Sequence, residues 1–195
     1  MSRGAPLEQT AKLVAALALS ALTTACGKPW QVVTQAQPSP MVDVRQYSVQ
    51  PIVMDGLIVG EKPEQAWLAD RDAEQRAAWV EDKKELDSGF RIKLVEAMQE
   101  HGMQIVPQGP FQLWPRIEYV EPGFYAAIAA SASETRMRLR ITTAAGQVVD
   151  EITVKSSTGG SLTCPSISCR LSTDAENLAE YVAEYIAIRA GLEEE

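Results

Sequence analysis

Few residues in this sequence could do chemistry, and their spacing narrows what each is fit for. His101 is the sole histidine, so any Ser-His-Asp or Cys-His site would have to use it. No serine sits in a Gly-x-Ser-x-Gly turn to accompany it. His101 instead closes an apolar-periodic stretch directly before Gly102, where a helix dipole favours imidazolium, and that local role is the expected one. Cys164 and Cys169 form a Cys-x4-Cys pair, which with one histidine lacks the third and fourth ligands of a zinc site. Gly159-Gly160 is not followed by Gly-Lys-Ser/Thr and cradles no phosphate. No metal or other cofactor is expected.

Carboxylates are the remaining candidates. Glu118, Glu121 and Glu151 fall near a row of arginines, Arg136, Arg138 and Arg140, that alternates strictly with Thr135, Met137, Leu139 and Ile141. A period of two puts the arginines on the face opposite the core. There they can meet Glu118 and Glu151 across strands as structural ion pairs. A carboxylate pair for glycoside hydrolysis is the enzymatic alternative. A third use of the row is as an anion- or partner-binding strip. Most other charges lie in residues 64–87 with Trp67 and Trp79 among them, a solvated helical face or a partner-binding one.

Cys26 belongs to a different pattern. Arg3 and Lys12 precede an apolar run from Leu13, LVAALALSALTTAC, which ends in small residues and the cysteine. A charged start, an apolar run of about a dozen residues and a small-residue exit make a secretory signal, too short to span a bilayer. Leu22-Thr23-Thr24-Ala25-Cys26 resembles the lipobox of bacterial lipoproteins. The resemblance implies a signal peptide over 1–25 and a cysteine that becomes the acylated, palmitate-bearing first residue. It implies attachment to the cell envelope, and Gly27 lacks the aspartate that signals inner-membrane retention, which favours the outer membrane facing the periplasm. With Cys26 so used, Cys164 and Cys169 are left as an even pair in an oxidising compartment and read as one disulfide.

These residues must be positioned by a single domain. The 195-residue chain, with 46% hydrophobic and 23% charged residues, is of ordinary globular composition. Its net charge of −8 becomes one unit more negative once Arg3, Glu8 and Lys12 are removed. Such acidity repels phosphate backbones and excludes nucleic acid as a partner. Residues 26–43 are rich in Gln, Pro and Ser and read as a flexible tether behind the lipid.

The domain is expected over 44–191, with an acidic tail at 192–195. Residues 44–54 read as a strand bent at Pro51, and residues 64–101 as helix, broken near Asp70 or at Ser88-Gly89, with Leu86, Phe90, Leu94, Ala97 and Met98 recurring on one apolar face. Short strands follow at 103–106 and 111–119, the latter with Phe111, Leu113, Ile117 and Tyr119 on one face. Residues 126–133, AAIAASAS, read as an edge strand or a loop. A hairpin at Ala144-Ala145-Gly146 joins strands 134–143 and 147–155. Thr173-Asp174-Ala175-Glu176 reads as the capping box of a last helix with Leu178, Tyr181, Val182, Tyr185 and Ile188 buried.

The order β-α-β-β-β-β-α predicts an α+β fold, one layer of antiparallel or mixed sheet with two helices packed on one face. Behind a lipobox, this order resembles the small periplasmic modules of the penicillin-binding-protein activator and curli-secretion lipoproteins. The resemblance implies an accessory module that is held to the membrane by the lipid on Cys26 and binds another envelope protein. Trp67, Trp79, Arg136, Arg138 and Arg140 are the candidate contact residues. A carboxylate-dependent hydrolase of envelope polysaccharide and a carrier with an apolar pocket between sheet and helices are the alternatives.

Overall fold

A computed structural model describes residues 27–126 and 129–194; Cys26 and the export segment lie outside it. The strands are β1 (Trp30–Gln35), β2 (Gln46–Val49), β3 (Ile58–Val59), β4 (Lys62–Pro63), β5 (Gln104–Ile105), β6 (Phe111–Glu121), β7 (Phe124–Ala126), β8 (Ala129–Ser131), β9 (Glu134–Thr143) and β10 (Val148–Ser156). The helices are α1 (Glu64–Ala69), α2 (Ala73–Glu100) and α3 (Ile167–Arg189).

The architecture is α+β, but richer than one sheet and two helices. An eight-stranded mixed sheet runs β1-β10-β9-β6-β2-β5, with β3 and β4 joined through β6. A separate two-stranded hairpin, β7-β8, springs from the end of β6. The central strands β6, β9 and β10 are antiparallel, whereas β2 and β3 join β6 in parallel.

The hairpin of β9 and β10 forms where the sequence placed it, because strict alternation leaves each strand one apolar side. Met137, Leu139, Ile141, Ile152 and Val154 are fully buried, and α3 packs across β9 and β10. Helices α2 and α3 pack on each other. They meet at Gly89, where an added Cβ would lie 3.7 Å from Ala175 Cβ and from Ser172 Oγ. Ser88-Gly89 is therefore a packing site inside a continuous helix. The break comes earlier, between Ala69 and Ala73, where the Asp72 carboxylate accepts from Gln75 N and the Gln75 side chain accepts from Asp72 N in a capping box. His101 caps the far end as expected, and its Nδ1 lies 2.7 Å from Glu193 of the acidic tail.

Three further expectations are corrected. Residues 30–35 are not tether: they form edge strand β1, paired with β10, and Trp30 buries edge-on against Tyr185. Two valines and a tryptophan in WQVVTQ supply the β propensity that the flanking Gln and Pro content masked. The last helix begins at Ile167 with Ser166 as its cap, so Thr173-Asp174 lies nearly two turns inside it. In β6 the register with β9 shifts between Ile117 and Tyr119, so Glu118 is an extra residue. Beyond that bulge Val120 takes the core side and Tyr119 turns to the open face.

Candidate functional site

Two buried carboxylates fix α3 on the sheet: Asp174, which the sequence reading placed in a helix cap, and Asp150, which it passed over. Asp174 is fully buried and accepts hydrogen bonds from Ser133 Oγ (2.7 Å), Thr158 Oγ1 (2.7 Å), Ser156 Oγ (2.9 Å) and Thr135 Oγ1 (3.4 Å). Asp150, also fully buried, accepts from Arg189 Nε and Tyr185 Oη, and from the Ala36 backbone N. Burial, and then the hydrogen bond to Asp150, push the Tyr185 hydroxyl well above the ordinary phenol range. Each carboxylate is saturated by donors, as buried charge requires, so both hold the scaffold and leave no group free to react.

The face of the sheet away from the helices carries the candidate site. Trp114 and Arg116 of β6 stand opposite Arg140 and Arg138 of β9, and Glu151 of β10 stands opposite Arg140. Arg138 donates to Glu118 at 2.7 Å and to Glu151 at 2.8 Å, and Arg140 donates to Glu151 at 3.0 Å. Alternation keeps Glu118 on this face with Trp114 and Arg116, and the bulge adds Tyr119 beside it, so β6 offers a carboxylate to Arg138 and a ring to Arg136. Hydrogen bonding by Arg138, reinforced by Arg140, holds the Glu151 carboxyl below the usual carboxylate range against the opposing effect of burial. The bonds from Arg138 to Glu118, then to Glu151, keep that guanidinium charged.

The arginine row thus sits where alternation predicted, opposite the core. Arg136 continues it at the other end, ion-paired with Glu134 at 2.5 Å and stacked 4.3 Å from the Tyr119 ring centroid. What the sequence reading missed is Trp114. It is 43% exposed, and its indole N–H is held by Thr142 Oγ1 at 3.0 Å. The alternation Phe111-Leu113-Pro115-Ile117 on the core side was the available signal that Trp114 faces out. With Val53, Arg116, Glu118, Arg138, Arg140 and Val148 it lines an open depression of about 620 Å³.

The other candidate aromatics are elsewhere and largely covered. Trp79 is 2% exposed and packs on Trp67 with ring centroids 4.9 Å apart. Its indole N–H donates to Glu64, which also binds Lys83, and Arg71 lies 3.3 Å from the Trp67 centroid. Trp67 and Trp79 therefore present no exposed aromatic strip. The short helix α1 folds back at Ala69–Asp72 and lays a half-buried Trp67 over Trp79, which is buried between α1 and α2. Cys164 and Cys169 are joined as expected, with Cα atoms 5.4 Å apart, across the entry to α3.

No family profile matches the chain, and no curated protein matches it by sequence. Partial structural likenesses exist. The PelC dodecamer from Paraburkholderia phytofirmans gives a TM-score of 0.40 at 9% identity over 78% of this chain and 96% of that one. A minor lipoprotein from Acinetobacter baumannii gives 0.40 at 10% identity, covering 73% and 92% of the two chains. A lipoprotein from Caulobacter crescentus CB15 gives 0.38 at 17% identity, covering 54% and 83%.

Proposed function

We propose that this protein is a lipid-anchored module of the bacterial envelope that works by binding another envelope component on the open face of its sheet. The observation that carries the reading is the depression around Trp114. An exposed indole face lies among arginines already held in place by Glu118 and Glu151, and pre-ordered aromatic and Arg side chains are those that dominate binding surfaces.

The same geometry disfavours hydrolysis. A glycosidase needs one carboxyl kept protonated near neutral pH, whereas Glu118 and Glu151 are both ion-paired with Arg138. A carrier pocket between sheet and helices is likewise disfavoured. That space is occupied by Phe90, Leu94, Met98, Leu139, Ile152 and Val182, all buried in one cluster.

Attachment rests on LTTAC at residues 22–26. Because β1 begins at Trp30, only three residues separate Cys26 from the fold, a reach of roughly 10 Å. The module would be held close against the membrane, not on a long leash. The lean toward the outer membrane rests on Gly27 alone.

The test is site-specific photocrosslinking in intact cells. A crosslinker in place of Trp114 should capture one discrete envelope component, and Arg140→Glu in the same chain should abolish the adduct. A crosslinker in place of Ile92, exposed on α2, should capture nothing in common. Equal adducts from both positions would refute the open face as the binding surface.

A further inference from the structure

One end of the molecule carries features that the open-face reading does not use. Arg170 is 1% exposed, yet its hydrogen bonds all go to backbone carbonyls: Nη1 donates to Pro165 O at 2.7 Å, and Nη2 and Nε donate to Pro122 O at 3.0 and 3.4 Å. It therefore braces two segments together at their roots. One is the β7-β8 hairpin, which follows Pro122; the other is the loop from Ser157 to Ser166, whose end is tied to the first turn of α3 by the Cys164–Cys169 bond. The two segments also touch directly. A Cβ added at Gly160 would lie 3.2 Å from Phe124 O and 3.3 Å from Tyr125 Cβ, so the close seat of the loop on the hairpin suits glycine.

Neither segment contains a charged residue: Pro122 to Ser133 and Ser156 to Ser168 hold no Asp, Glu, Lys or Arg, in a chain of net charge −8. Both present apolar side chains outward, Phe124 at 53% exposure and Leu162 at 86%. An uncharged, braced surface with protruding Phe and Leu fits the bilayer interface, where aromatic side chains accumulate. It fits the aqueous surface of an acidic domain poorly.

The register says which end this is. Trp30 pairs with Val154, Val154 with Met137, and Met137 with Ile117; Lys155 N donates to Pro29 O. The start of β1, the end of β10 and the end of β6 therefore lie level at the same end of the sheet. Strand β1 lies three strands from β6, a lateral offset of roughly 14 Å at ~4.8 Å per strand. Cys26, four residues before Trp30, is thus tied to the end from which the hairpin and the disulfide loop project. The rim there carries charges of both signs, Lys28 and Lys155 against Glu121 and Glu134.

We infer that Phe124, Tyr125 and Leu162 form a second membrane contact: they dock in the headgroup region beside the acyl chains and fix the orientation of the domain on the bilayer. The inference rests on lipidation of Cys26, as proposed above. It deepens that reading, because the depression around Trp114 lies toward the opposite end of β6 and would then face away from the membrane. Three side chains, of which Phe124 and Leu162 protrude furthest, bury too little to bind alone, but a lipid anchor next to them makes their insertion effectively intramolecular.

The test uses the full chain, isolated with its lipid and reconstituted into phosphatidylethanolamine/phosphatidylglycerol vesicles, some made with acyl-brominated lipid. The variant Phe124→Trp places a reporter at the proposed contact. Mass spectrometry of the N-terminal peptide establishes separately whether Cys26 is acylated. The expected result is a blue shift of the added fluorescence on reconstitution and its loss in brominated vesicles, beyond any change in the parent protein. Leu162→Asp should reverse both effects while leaving the protein vesicle-bound. An acylated protein whose added tryptophan is neither shifted nor quenched overturns the inference and leaves the lipid reading intact. A shift without bromine quenching that grows with protein concentration overturns it too, and assigns the surface to a second copy. A chain without acylation defeats the lipid reading first, and the inference with it.

Discussion

The Arg189 guanidinium donates to the Asp150 carboxylate at 2.7 Å where Asp150 is fully buried and Arg189 only 8% exposed. Arg189 also donates to Ala36 O, and Ser39 Oγ donates to Arg189 O. This one pair ties the end of the last helix to the segment after β1 and to β10. Arg189→Met should destabilise the protein by about 3 to 5 kcal/mol, because the buried carboxylate loses its counter-charge. Urea unfolding followed by circular dichroism measures it; a loss under about 1 kcal/mol would mean that Tyr185 and the Ala36 N–H suffice.

Asp174 collects four hydroxyl donors from β8–β9, β10 and the loop after it. Asp174→Ala should cost at least about 1 to 3 kcal/mol, the penalty for buried polar groups left without an acceptor. Amide exchange should also rise around Ser133 and Thr158, whose polar groups converge there. Unchanged exchange with unchanged stability would contradict the bracing role.

On the open face Arg138 and Glu118 are about a third exposed, and the more buried Glu151 keeps its bond from Arg140, so Arg138→Gln should cost about 1 kcal/mol or less. The pH dependence is more telling. Glu151 is held below its ordinary range chiefly by Arg138, so its contribution is fully present above the unfolded carboxylate value of about 4.3. That contribution is lost as pH falls through the lower folded value. Glu151→Gln should therefore flatten the acid limb of the stability curve below about pH 4. Identical acid limbs in parent and variant would show that Glu151 is not linked to folding.

The Cys164–Cys169 bond closes a short loop, and the chain-entropy estimate for its removal is about 2 kcal/mol. Cys164→Ser/Cys169→Ser should keep the fold and loosen residues 157–166, read as limited proteolysis at that loop. Alkylation of the unreduced protein should label neither thiol. Global unfolding of the double variant would show that the bond holds more than the entry to α3.

Lipidation predicts that a fatty-acid label is incorporated into the wild-type chain and not into Cys26→Ser. Equal labelling of the two would remove the anchor from the reading of this protein.

The sequence by itself determined the elements whose side chains repeat. The alternation of Met137, Leu139 and Ile141 with three arginines defined β9, its core side and the open arginine face. The period of Leu86, Phe90, Leu94, Ala97 and Met98 defined the buried side of α2. The spacing of Cys164 and Cys169 allowed their bond. Each is a local property, because period and reach are set within a few residues.

Tertiary structure decided the rest. Trp79 looked like an exposed aromatic in a charged helix until the turn at Ala69–Asp72 laid α1 and Trp67 over it. Asp174 looked like part of a capping box until four hydroxyls from distant segments enclosed it. Residues 30–35 looked like tether until β10 offered them an edge. Trp114 gained its surroundings only when β9 set Arg138 and Arg140 beside it and β10 supplied Glu151 to hold them. The physical reason is common to all four: the partner that fixes each residue is remote in the chain, and no local pattern records where the fold will bring it.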